Sequence, residues 1–291
     1  MKVSGFAIAR NVLQADYPIR ESLLSIAPLC DEIVVAVGKS DDGTREFIQN
    51  LPIDQLKIID TIWNDELRNG GLVLSDETNK ALNAVSEDSD WCFYIQADEC
   101  IHENDIPIIS DAMKRYCEDP NVQGLLFNYN HFYGSYDYLG DSRKWYRNEI
   151  RIVKNTRNIK SWKDAQGFRT LQNKKLQVKK VNASIYHYGW VKSPEFQQVK
   201  QKQFHRLWHD DEKLKNYVSD GAEFDYSSID SLRVFTGNHP SLMLNRINSA
   251  NWKFSHDISK KNFSPKGWFL YYFEKYFGIR LGEYKNYKII R

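Results

Sequence analysis

Apolar and polar positions alternate between two periods along roughly the first hundred residues, and each change of period marks a change of element. VSGFAIA (3–9) is a short apolar run that predicts a strand, ESLLSIAPLC (21–30) has helical spacing, and DEIVVAVG (31–38) is a β-branched run that stops at a glycine. The cycle then repeats. SDDGTREFIQNL opens with turn residues and continues as a helix with Phe47, Ile48 and Leu51 on one face, and LKIIDTIW (56–63) reads as the next strand. SDETNKALNAV (75–85) predicts a helix with Ser75 as its N-cap and Asp76 and Glu77 in the first turn, where the helix dipole favours acids. DWCFYI forms the fourth strand, and the chain leaves it on Gln96, Ala97, Asp98 and Glu99. Strands alternating with helices predict an α/β fold, a mostly parallel sheet with helices on both faces, and ligands in such sheets bind at the carboxyl edge of the strands.

Beyond Pro107 the pattern changes. NVQGLLFNYNHFYGSYDYL (121–139), WYRNEIRIVKN (145–155) and LQVKKVNASIYHYGW (176–190) read as strands rich in Tyr and Phe. From Ser193 the residues become polar and helical, and the tail GWFLYYFEKYFGIRL is amphipathic. The expected organisation is an α/β catalytic domain over 1–192 and a mostly helical extension over 193–291.

Composition narrows the class. With 291 residues, 42% hydrophobic and 27% charged, the chain can bury a full core. A net charge of +2 gives no reason to expect a nucleic-acid partner. No apolar run approaches the length of a membrane span, and the N-terminus lacks the apolar stretch of a signal peptide. Cys30, Cys92, Cys100 and Cys117 lack C-x-x-C spacing, which fits free thiols in a reducing, cytoplasmic setting.

The acids after the fourth strand carry the chemistry. A carboxylate pair at the carboxyl edge suits a hard divalent cation, Mn²⁺ or Mg²⁺, held against a diphosphate. Such an ion neutralises charge on a departing nucleoside diphosphate as a sugar bond breaks. FAIARN, then Ser40, Asp41, Asp42, Gly43 and Thr44, then NKAL from Asn79, then QADE follow one another in the order of a known family. Over about residues 1–190 the chain resembles the GT-A-fold, family 2-like glycosyltransferases.

That resemblance implies a Rossmann-like GT-A domain and inverting, metal-dependent transfer from a nucleotide-sugar donor to a glycan or lipid-linked acceptor hydroxyl. It assigns donor binding to Ala9, Arg10, Asn11, Asp41, Gln96, Ala97 and Asp98, with Arg68 reaching the diphosphate. The metal falls to Asp98 and His187. The catalytic base is Asp164, with Glu149 the competing acid inside a strand. Two positions depart from the family: Val37 stands where an aspartate holds the base, and Gln96 replaces the first acid of the motif, so Gln96 is expected to touch sugar or ribose. HFYGSYDY (131–138) and Trp190 suit an aromatic wall for a sugar and suit core packing equally. The amphipathic tail suits contact with the inner face of a membrane, or packing against the catalytic domain or a second copy in a homo-oligomer. Two other function classes share parts of this pattern: a nucleotidyltransferase, and a non-catalytic sugar- or nucleotide-binding protein on a decayed transferase fold.

Overall fold

The computed structural model describes residues 1–67, 69–208 and 221–290. Its first half follows the sequence pattern. Strands β1 (Val3–Ala9), β2 (Glu32–Gly38), β3 (Leu56–Thr61) and β4 (Trp91–Tyr94) lie parallel in the order β3-β2-β1-β4. Helices α1 (Ile19–Ile26), α2 (Thr44–Gln49) and α3 (Leu72–Asn83) connect them. Strand alternation sorts the side chains: Ile33, Val35 and Val37 of β2 pack in one cluster with Leu23, Ile26 and Ile48, while Val34 and Ala36 join Ala81 and Leu82 in another. Helices therefore cover both faces. Val37, at the position where the family carries an acid, is core.

Helix α3 begins earlier than its sequence suggests. Gly70 and Gly71 take left-handed backbone (φ 64° and 73°), Gly71 is the N-cap, and Ser75 lies a turn inside, donating to the Leu72 carbonyl at 2.9 Å. A capping serine cannot outcompete a glycine pair that already turns the chain.

The second half is mixed. It comprises β5 (Glu99–Ile101), α4 (Ile106–Arg115), β6 (Gly124–Tyr133), β7 (Ser135–Gly140), β8 (Asn148–Lys154), a β9–β10 hairpin (Ile159–Trp162, Gly167–Thr170) and the long β11 (Leu176–Trp190). The run 121–139 is thus two strands, broken at Gly134 (φ 74°). β8 joins β4 antiparallel, β6 follows β8, and β11 lies parallel to β6 and antiparallel to β5. A parallel Rossmann-like half that runs into a mixed half is the GT-A arrangement.

The C-terminal stretch supplies helices α5 (Pro194–Arg206), α6 (Leu244–Asn248) and α7 (Pro265–Phe277), and also returns two strands to the sheet. These are β12 (Leu232–Val234) against β7 and β13 (Tyr287–Ile289) against β11. Helix α7 is tied down by polar contacts, Tyr271 to Asp141 at 2.7 Å and Arg143 to Glu274 at 3.1 Å, and leaves Phe269, Tyr276 and Phe277 exposed. Among the described residues no helix is long and apolar enough to cross a membrane.

Candidate active site

The loop after β1 is shaped by the S-x-D-G-T turn. Asp42 Oδ2 accepts the Leu13 and Gln14 amides (2.9 and 2.8 Å), and Thr44 Oγ1 accepts the Val12 amide at 2.9 Å. Burial works against the charge on Asp42, but these donors and Thr44 hold its carboxyl below the usual range. Asn11 itself sits in the left-handed region (φ 49°). Asp41 is exposed, gives its amide to the Asn11 side chain, and does not line the cleft, so the organising acid of this turn is Asp42.

A cleft of about 500 Å³ opens at the carboxyl edge of β1 and β4. It gathers Ala9, Arg10, Asn11, Gln96, Ala97, Asp98, Asp164 and His187. Arg68 lies outside the described residues. Trp190 lines the cleft, but the 131–138 aromatics build the core: Phe132 stacks on Tyr188 at 4.8 Å, and Tyr133 and Tyr136 are buried.

The two adjacent acids face different partners. Glu99 is fully buried and receives Arg151 through both oxygens (2.9 and 2.8 Å), the Tyr129 hydroxyl (2.6 Å) and the Gln96 amide (3.1 Å). It is a structural clamp between β5 and β8. Asp98 instead lines the cleft, and its Oδ2 accepts the Lys200 ammonium of α5 at 2.9 Å, with His187 Nε2 at 3.8 Å. Burial would raise the Asp98 pKa, but the lysine outweighs it and holds the carboxyl well below the usual range.

The Lys200 ammonium also donates to the Gly189 carbonyl (2.6 Å) and stands 5.0 Å from the Tyr17 ring centroid. Burial opposes its charge, yet Asp98 keeps its pKa above the ordinary lysine value. Gly189 is required here: a Cβ would lie 2.6 Å from His187 Nε2 and 2.7 Å from Asp98 Oδ2. Nearby, Lys192 is buried over the same tyrosine, and burial lowers its pKa to about 7.

The tautomer of His187 follows from its partners. The Tyr146 carbonyl only accepts, so His131 Nε2 donates to it (2.9 Å). Burial holds His131 well below its ordinary pKa, so its Nδ1 accepts from His187 Nδ1 at 3.1 Å. His187 Nε2 is left with a lone pair towards Asp98 and the cleft.

Asp164 occupies the β9–β10 turn between Lys163 and Ala165, both in left-handed backbone (φ 56° and 61°), and Gln96 Nε2 approaches the Ala165 carbonyl at 3.4 Å. Strain of this kind needs support from surrounding structure and is characteristic of working loops. Burial raises the Asp164 pKa, as suits a base. Glu149 is raised further, to about 7, chiefly by burial, but it is fully enclosed in β8, bonds the Ile150 amide, and does not reach the cleft.

The donor set does not fit a divalent ion as it stands. Asp98 and His187 do meet, but the Asp98 oxygen nearest His187 already holds an ammonium. At about 4 Å and an effective dielectric near 20, a dication and an ammonium repel by about 8 kcal/mol, twice the unit-charge value. Among the described residues no group of three or more His, Cys, Asp or Glu could hold a metal.

Sequence periodicity did not reveal Lys200. Helix α5 buries Gln197, Gln198, Lys200 and Gln201 while Phe196 is exposed, so its inward face is polar. The available signal was the i, i+3, i+4 spacing of those polar residues.

No family model matches the chain, and no curated protein does. Among solved structures it is similar to S. aureus TarS 1-349, with 15% identity, TM-score 0.39, and 70% of this chain and 64% of that chain covered. It is similar also to glucosyl-3-phosphoglycerate synthase from Mycobacterium tuberculosis in complex with Mn²⁺, UDP and phosphoglyceric acid (20% identity, TM-score 0.30, 45% of this chain and 43% of that chain). A third is 4-diphosphocytidyl-2C-methyl-D-erythritol synthase from Anaerococcus prevotii (12% identity, TM-score 0.33, 53% and 71%). The chain spans less than two thirds of the first two.

Proposed function

We propose that this chain is a nucleotide-sugar-dependent glycosyltransferase that acts with inversion on an acceptor hydroxyl of a glycan or lipid-linked sugar. The observation that carries the reading is the meeting, in one cleft at the carboxyl edge of the parallel strands, of a charged Asp98 cluster with Asp164, a carboxylate of raised pKa on a strained turn. Asp164 takes the proton of the acceptor hydroxyl as that oxygen bonds the anomeric carbon. The bond from that carbon to the diphosphate breaks, and the nucleoside diphosphate leaves with the electron pair. Asn11, Gln96 and the β1 loop orient the donor. Where a divalent ion is bound in such enzymes it supplies charge neutralisation at the diphosphate.

The test is nucleoside diphosphate release from a panel of UDP-, GDP-, CDP- and dTDP-sugars with mixed glycan acceptors. Activity with at least one donor is expected, falling by about 10²–10⁴ in Asp164→Asn. Inactivity with every donor, together with failure to bind any nucleoside diphosphate, would favour a decayed transferase instead.

A further inference from the structure

Lys200 occupies the place in the cleft where the family's sequence motifs put a metal. Its side chain reaches in from α5, passes the Tyr17 ring, and ends on Asp98 Oδ2 and the Gly189 carbonyl. An ammonium has three N–H donors, and these two acceptors leave one for a ligand oxygen. Lys200 is nine-tenths buried yet lines the cleft, so its charge is poorly screened. Among the described residues three cations line this cleft, Arg10, Lys200 and Arg206, against the carboxylates of Asp98 and Asp164, which suits an anionic ligand.

We propose that the Lys200 ammonium, fixed by Asp98 and the Gly189 carbonyl, is the cation that receives the donor diphosphate, so that this chain binds a nucleoside diphosphate and releases it from the sugar without a divalent metal. The inference rests on the glycosyltransferase reading above. In the transfer step the electron pair of the broken sugar–oxygen bond stays on the diphosphate, and a charge-assisted hydrogen bond from Lys200 stabilises it while the acceptor proton goes to Asp164. Asp98 is then a positioning residue that keeps the lysine charged and aimed.

Calorimetry of the full chain with UDP, GDP, CDP and dTDP, in EDTA and again in MnCl₂, decides the matter. At least one diphosphate is expected to bind in EDTA, with Mn²⁺ changing its Kd by less than about tenfold. Lys200→Met is expected to weaken that binding by about tenfold or more. If Lys200→Met does not fold, the double variant Asp98→Asn with Lys200→Met removes both charges together and is read in the same way. Tightening by about tenfold or more on adding Mn²⁺ overturns the lysine's role and leaves the transferase reading intact. Unchanged affinity in the lysine variant also overturns it. Absence of binding in both buffers overturns both readings.

Discussion

Asp98 and Glu99 are neighbours in the chain, both buried and both paired with a buried cation, and the two pairs are built differently. Glu99 meets a planar guanidinium through both oxygens, and Tyr129 and the Gln96 amide take up further acceptor capacity. Arg151 Nη1 donates to the Ile150 and Gln166 carbonyls as well. Asp98 meets a point-charge ammonium through one oxygen and lines open space. An arginine fork wholly enclosed and held on two edges by its own protein serves rigidity, whereas a lysine whose spare donor faces a cleft is placed to meet a ligand.

Breaking the closed pair is expected to give the largest effect. Arg151→Met leaves Glu99 charged and unpaired in the core and should cost about 3–5 kcal/mol in chemical denaturation. A loss below about 1 kcal/mol would mean that the clamp is not what joins β5 to β8. Next comes Asp98→Asn, which should reduce sugar transfer by about 10²–10³ while lowering the unfolding midpoint less than Arg151→Met does. If transfer survives and stability falls equally, the two pairs do the same job and the distinction fails.

Gly189→Ala sharpens the comparison from the backbone side. Its Cβ would press on His187 Nε2 and Asp98 Oδ2, so a loss of about 1–3 kcal/mol is expected by calorimetry, with nucleotide binding weakened as well. The last prediction concerns the pH dependence set by Lys192. Its folded pKa of about 7 lies below the unfolded lysine value of about 10.4, so between them the unfolded chain binds the extra proton. Stability should rise from about pH 7 towards pH 10, by at most about 1.4 kcal/mol per pH unit, and the penalty is complete below pH 7. Lys192→Met should remove that slope; an identical pH profile in the variant would place the charge elsewhere.

The order of strands and helices over the first hundred residues, the full length of β11 and the gathering of Gln96, Asp98, Asp164 and His187 at one edge were legible in the sequence. Periodicity reports which face of an element is buried, and strand ends in a parallel sheet converge by geometry. Which cation each meets was decided only by tertiary structure, because Arg151 lies 52 residues from Glu99 and Lys200 lies 102 residues from Asp98. Helix α5 was hardest to read for the same reason. It covers a polar cleft, so its buried face is polar, and a pattern that equates burial with apolar residues points it the wrong way round. The sequence by itself determined where a charged site would form; the packing of α5 and β8 determined that one acid would hold a buried arginine in the core and its neighbour a lysine at the cleft.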